Sequence, residues 1–197
     1  MSGPLAGLRV LDLTRVVAGP LAGQTLADLG ADVVKVERTG PGEDLRNMGP
    51  PWLPGPDGAP SDEGTYFQSV NRNKRSLQLD IARPEGAAIL RRLAENADVF
   101  LENFRPGTLA RYGLGWDDLR TVNPRLIYAS VTGFGQTGPR AHQSGYDMLV
   151  QAMSGMMDAT GHPEGQPGAG PMRVGMPLAD YASGQNLAVG ILAALLH

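Results

Sequence analysis

Residues Leu8 to Glu37 read LRVLDLTRVVAGPLAGQTLADLGADVVKVE, and this stretch decides the fold. Its first six residues, Leu8 to Leu13, are rich in aliphatics and predict a buried strand. Gly19 to Leu29 predicts a helix, with Leu21, Leu26 and Leu29 on one face and Gly30 closing it. Asp32 to Glu37 predicts a second strand. Strand, helix and strand in succession imply a parallel pair joined by a right-handed crossover.

Working outward, Ser76 to Asp80 predicts a short strand. Pro84 suits the first turn of a helix through Ala97, in which Ala88, Ile89, Leu90 and Leu93 are strong helix formers. Asp98 to Leu101 and Leu126 to Val131 predict further strands. Short helices fit 106–113 and 115–122, and longer ones fit about 145–157 and 180–197. This alternation predicts an α/β protein with an open, mostly parallel, Rossmann-like sheet and helices on both faces. Ligands of such sheets bind beyond the carboxyl ends of the strands. Here those ends are Val16-Val17-Ala18, Arg38, Asn103-Phe104 and Thr132-Gly133, so four loops converge on one edge. Much of the 27 glycines and 16 prolines falls in 39–64 and 159–177, which read as long functional loops.

The last helix reaches Ala193-Ala194-Leu195-Leu196-His197 with no glycine or proline to stop it. Residues 1–197 are therefore expected to be the N-terminal part of a larger α/β domain, with the helix from about 180 running on.

Composition excludes several classes. The net charge of −3 is mild, and both signs are interspersed, which gives no nucleic-acid footprint. With no cysteine there is no disulfide, thiol nucleophile or thiolate metal site. The longest apolar run, Leu187 to Leu196, is too short to cross a bilayer. Met1 to Leu5 lacks the basic and apolar regions of a signal peptide. A cytoplasmic protein without nucleic-acid or membrane partners is expected.

Gly133-Phe134-Gly135-Gln136-Thr137-Gly138 fits the G-x-G-x-x-G pattern of dinucleotide sites. Its context does not fit: Pro139 stands where a helix would already run. Glu37 ends a strand where a ribose-binding acid would sit, but the turn Val17 to Gly23 lacks the glycine spacing. Arg38 reads either as a phosphate fork or as a solvated surface arginine. His142, His162 and His197 have no metal-ligand spacing, so no metal site is expected. No G-x-S-x-G elbow occurs. Asp180 follows a glycine-rich loop and opens the last helix. It reads either as the helix N-cap or as an ionised carboxylate able to attack an activated acyl group.

Seven segments taken in order resemble the family III CoA-transferases. They are Gly7 to Thr14, Ala18-Gly19-Pro20, Gly30 to Glu37, Asn73 to Ser76, Glu102 to Gly107, Gly145-Tyr146-Asp147, and Gly175 to Asp180 followed by Gly184. The resemblance covers essentially the whole chain. It implies an enzyme that moves CoA from an acyl-CoA to a free carboxylic acid, with Asp180 as covalent nucleophile and no permanently bound cofactor, metal or ATP. It implies CoA contacts at Val17, Ala18, Arg38, Gln78, Leu79, Asp80, Ile81, Ala82, Asn103, Phe104, Arg105 and Arg111. It places Ser144, Gly145, Tyr146 and Asp147 near the thioester. It also implies a second, smaller domain and an interlaced homodimer. Two departures, Val17 for a glutamine and Ala82 for a lysine, argue against formyl or oxalate as substrate. The related alpha-methylacyl-CoA racemases carry a histidine where Tyr146 stands, and tyrosine is a poor base at neutral pH. A racemase-like isomerase and a CoA-binding module without catalysis remain the alternatives.

Overall fold

The computed structural model describes residues 3–197. Five strands form one parallel sheet: β1 (Arg9–Asp12), β2 (Asp32–Glu37), β5 (Arg75–Gln78), β6 (Val99–Glu102) and β7 (Ile127–Ser130). Between β2 and β5 lie an antiparallel pair, β3 (Trp52–Pro54) and β4 (Pro60–Gly64), and the helix α2 (Thr65–Asn71). The other helices are α1 (Ala18–Asp28), α3 (Pro84–Ala94), α4 (Trp116–Leu119), α5 (Asp147–Met153), α6 (Met156–Thr160) and α7 (Leu178–Leu195).

The sheet order is β5-β2-β1-β6-β7, parallel throughout. The chain walks outward from β1 to β5, then returns to the other side of β1 to lay down β6 and β7. That reversal opens a crevice beyond the carboxyl ends of β1 and β6, the ligand position of open α/β sheets.

Successive strand residues face opposite sides, so both faces of the sheet must be covered. Val10, Val33, Val99, Leu101 and Ala129 pack against Leu26 and Ala27 of α1 and Ile191 of α7. Leu11, Val36 and Phe100 pack on the other face against Leu90 and Ala94 of α3 and against Leu109, Leu114 and Leu119. A strand buried on both sides reads as an apolar run, which is why β1 and β6 were legible; in β2 the aliphatic Val33, Val34 and Val36 carry the signal although Lys35 and Glu37 are buried beside them.

The expected architecture holds, with local corrections. Segment 39–64 contains the β3–β4 pair, whose alternation is hidden by its prolines and glycines. The helix at 65–71 carried no clear apolar period. The helix expected over 106–113 shrinks to a 3-10 turn at Leu109–Tyr112, and that over 115–122 shrinks to α4. The helix expected over 145–157 breaks into α5 and α6 at Gly155, whose φ of 79° is left-handed. Helix α7 begins at Leu178, so Asp180 lies inside its first turn and does not open it.

Candidate active site

The crevice floor is the loop after β1, and buried side chains grip its backbone. The Thr14 N–H donates to Asp12 Oδ1 at 2.9 Å, and Lys35 Nζ donates to the Thr14 carbonyl at 2.8 Å. Asn103, at the end of β6, takes both backbone groups of Arg15: Oδ1 accepts its N–H at 2.9 Å and Nδ2 donates to its carbonyl at 2.7 Å. Glu43 Oε1 accepts the Val16 N–H at 2.7 Å. Val16 sits at φ 68°. That conformation is unfavourable for a β-branched residue and persists only where the surroundings over-determine it. The hydrogen bonds to its neighbours and to its own N–H supply that determination, and they set the Val17–Ala18 stretch at the crevice wall.

Two hollows open along this edge. The larger, of about 510 Å³, is lined by Val17, Ala18, Asn103, Phe104, Arg105, Gly133, Ser144, Gly145, Tyr146 and Asp180, among others. The smaller, of about 130 Å³, is lined by Arg38, Leu79, Asp80, Ile81 and Ala82 with Leu13, Val36 and Glu43. Arg15 and Phe104 border both, and the Arg15 guanidinium lies over the Phe104 ring at 4.9 Å. Together the hollows gather most of the residues singled out from sequence. Three lie outside them: Gln78 is an exposed end residue of β5, Arg111 is an exposed member of the 3-10 turn, and Asp147 sits behind α7.

Arg38 is half-exposed. Its Nη2 donates to Asp44 Oδ1 at 2.5 Å and its Nε to the Gly42 carbonyl at 2.9 Å. Glu37, in contrast, is closed to a ribose. Its carboxylate takes a two-pronged bond from Arg46 at 2.7 and 2.8 Å, plus the Ser76 hydroxyl and the Glu43 N–H. Burial pushes Glu37 upward, but the Arg46, Ser76 and Glu43 hydrogen bonds outweigh it and bring its pKa to about 2.

The glycine loop after β7 also departs from a dinucleotide turn. A Cβ on Gly133 would stand 2.3 Å from Gly145 Cα, and one on Gly145 would stand 2.1 Å from Gly133 Cα. Two cleft-lining loops touch backbone to backbone there, and only glycine fits on either side.

Asp180 does not cap its own helix. Asp147, on α5, supplies the acceptor: its Oδ1 takes the Ala179 N–H at 2.8 Å and the Asp180 N–H at 3.3 Å. The Asp180 carboxylate is thereby left free in the cleft wall. Burial, and then the neighbouring Asp147 charge, raise its pKa from 3.8 to about 6. The raised value shows the surroundings working against the ionised form expected from sequence. Ionisation at pH 7 survives, at about nine molecules in ten.

Lys35, Glu43, Lys74 and Gln151 build this site and were not singled out from sequence. Besides local bonds from Lys74 to Asn71 and from Gln151 to Asp147, they reach partners 21 to 62 residues away for the two lysines, 27 for Glu43 and 23 to 25 for Gln151. No local spacing records such pairs.

The profile of CoA-transferase family III matches residues 5–197. The chain belongs to that family. Among curated members it is 51% identical over 194 residues to "Succinate--glutarate CoA-transferase" of Agrobacterium fabrum, covering 98% of this chain and 47% of that protein. It is 46% identical to "Succinyl-CoA:glutarate CoA-transferase" of Homo sapiens, covering 98% and 42%. A third, "Acetyl-CoA:oxalate CoA-transferase" of Acetobacter aceti, is 46% identical over 98% and 47%. Among solved structures, a CAIB/BAIF family protein from Brucella suis superposes with a TM-score of 0.91 at 44% identity, over 100% of this chain and 50% of that one. Rv3272 from M. tuberculosis superposes with a TM-score of 0.88 at 48% identity, over 100% and 52%. The chain thus spans about half the length of the family members it matches. Among the described residues, no helix is long and apolar enough to cross a membrane.

Proposed function

We propose that the protein containing this chain transfers CoA from an acyl-CoA to a free carboxylic acid, with Asp180 as covalent nucleophile. One observation carries the reading: the Asp180 carboxylate, free of capping duty, lies in the wall of the cleft that Val17, Ala18, Gly133 and Gly145 also line. A half-buried, ionised carboxylate beside close-packed glycine backbone suits attack on a thioester.

In the proposed reaction the Asp180 carboxylate attacks the thioester carbonyl. The C–S bond breaks, CoA leaves as thiolate, and a mixed anhydride forms between Asp180 and the donor acid. The thiolate attacks the aspartyl carbonyl of that anhydride and expels the donor carboxylate, giving an aspartyl-CoA thioester. The acceptor carboxylate attacks this thioester and releases the thiolate again, forming a second anhydride. Thiolate attack on the acceptor carbonyl then yields the new acyl-CoA and returns Asp180 as carboxylate. The thioester bond energy is conserved at each exchange, and exclusion of water protects the anhydrides.

The smaller hollow suits the nucleotide end of CoA, with Arg38 at its rim as a phosphate partner alongside Arg15. The larger suits the pantetheine arm and the reacting acyl group. Succinyl-CoA is the proposed donor and a dicarboxylate the acceptor, in keeping with the names of the glutarate-named relatives.

The test incubates the whole protein with succinyl-CoA and a panel of acids, traps with hydroxylamine and maps the product by mass spectrometry. A hydroxamate on Asp180, lost in Asp180→Ala, is expected. The racemase-like reading draws on one observation, a carboxyl whose pKa of about 6 suits proton transfer. An unmodified Asp180 with alpha-deuterium exchange into a branched acyl-CoA would favour that reading instead.

A further inference from the structure

Asp147 and Gln151 stand four residues apart on one face of α5, and both reach the segment that carries Asp180. Gln151 is fully buried. Its Oε1 accepts the Val174 N–H at 2.9 Å, while its Nε2 donates to Asp147 Oδ2 at 2.6 Å and to the Met176 carbonyl at 3.4 Å. Asp147 Oδ2 is thus occupied by Gln151, and Oδ1 by the Ala179 and Asp180 N–H groups. Both oxygens are turned into the protein, and Asp147 is not part of the cleft wall.

We propose that Asp147, braced by Gln151, is a positioning residue for Asp180: it caps the first turn of α7 in place of the Asp180 side chain and sets a second negative charge behind it. The inference rests on Asp180 being the nucleophile. An aspartate in the first turn of a helix ordinarily folds back onto free backbone N–H groups. With those groups already satisfied from α5, the Asp180 carboxylate has no local partner and stays turned to the cleft.

The charge acts in the same direction. The groups facing Asp180 from the packed elements are Asp147 on α5, Tyr66 on α2 and its neighbour Tyr181. Arg15, Arg105 and Asp44 lie on the walls of the same cleft. Burial and then Asp147 move Asp180 upward, and no cation offsets them. Tyr66 moves upward as well, first from burial and then from Tyr181, Asp180 and Asp147, which places it in the same acidic cluster. A more basic carboxylate oxygen is a better nucleophile, and it remains largely ionised at pH 7.

The test titrates Asp180 in the wild type and in Asp147→Asn by carbodiimide labelling, which consumes protonated carboxyls, read by mass spectrometry across pH. Asparagine keeps an oxygen for the Ala179 and Asp180 N–H groups but loses the charge. The wild-type midpoint is expected at about 6. The variant is expected lower by about half a unit or more, with burial holding back the rest. In the whole protein, the low-pH limb of kcat/KM should move down in pH by the same amount while the plateau falls. Should Asp147→Asn not fold, Asp147→Ser keeps one acceptor oxygen and is expected to give the same shift. An unchanged midpoint with only a lower melting temperature would make Asp147 a packing contact and overturn the proposal. If the midpoint shifts but wild-type Asp180 forms no hydroxamate with acyl-CoA, the proposed reaction fails while the positioning geometry stands.

Discussion

At the scale of single residues, the site combines two kinds of tension. Val16 holds a left-handed backbone that its β-branched side chain disfavours, and Asp180 holds a charge that its surroundings disfavour. The second makes a signed prediction. The folded chain retains the Asp180 proton up to about pH 6, whereas the unfolded chain releases it near 3.8. The stability associated with this group is complete below the unfolded value and is lost as pH rises through the folded one. Asp180→Asn stays neutral and escapes that loss. It should melt at a higher temperature than wild type at about pH 8, with the difference vanishing toward about pH 4. Thermal melts at the two pH values check this, and a variant less stable at the higher pH would show that the charge is well accommodated. A proposed nucleophile that destabilises its own fold fits the common trade of stability for activity.

At the scale of elements, the decisive contact lies between α1 and α7. Gly184 of α7 faces the start of α1, where an added Cβ would stand 2.5 Å from the Ala18 carbonyl oxygen and 3.1 Å from Leu21 Cβ. That approach holds the first turn of α7, with Asp180, beside Val17 and Ala18. Gly184→Val must push α7 away. Overpacking of this kind costs about 1–3 kcal/mol, read as a lower urea midpoint, and the proposed CoA transfer of the whole protein should be lost as the cleft walls separate. A variant with full activity would show that α7 can shift without disturbing the cleft.

At the scale of the whole molecule, a buried ionic group joins the central strand of the sheet to α1 and α2. Lys74 Nζ donates to Asp12 Oδ2, the Pro20 carbonyl and Asn71 Oδ1, each at 2.8 Å, linking β1, α1 and α2. Burial raises the Asp12 carboxyl, but Lys74, and then Lys35, hold it below the usual range. Removing Lys74 leaves the buried Asp12 carboxylate without its direct ion-pair partner, with only the more distant Lys35 and the Thr14 hydrogen bonds to compensate. Lys74→Met should therefore cost about 3–5 kcal/mol in urea unfolding, and adding Asp12→Asn should recover part of that loss. If the double variant is as unstable as the sum of the singles, the pair is not coupled.

The sequence by itself determined the sheet and its two covered faces. Aliphatic runs such as Val10-Leu11, Val33-Val34 and Val99-Phe100-Leu101, separated by helical periods, record burial locally, and strand ends follow from strand positions. The cleft-lining residues Val17, Ala18, Asn103, Phe104 and Gly133 were legible for that reason, Asp180 and Arg38 stood out by type and place, and Leu79 to Ala82, Arg105 and Ser144 to Tyr146 were expected only through the family resemblance. Only the tertiary structure decided how those residues are held. Asn103 meets Arg15 across 88 residues, Asp147 meets the N–H groups of Ala179 and Asp180 across 32 and 33, and Lys74 meets Asp12 across 62. A hydrogen bond between distant residues leaves no periodic trace in the chain. Its energy depends on geometry that exists only once the sheet has brought its edges together.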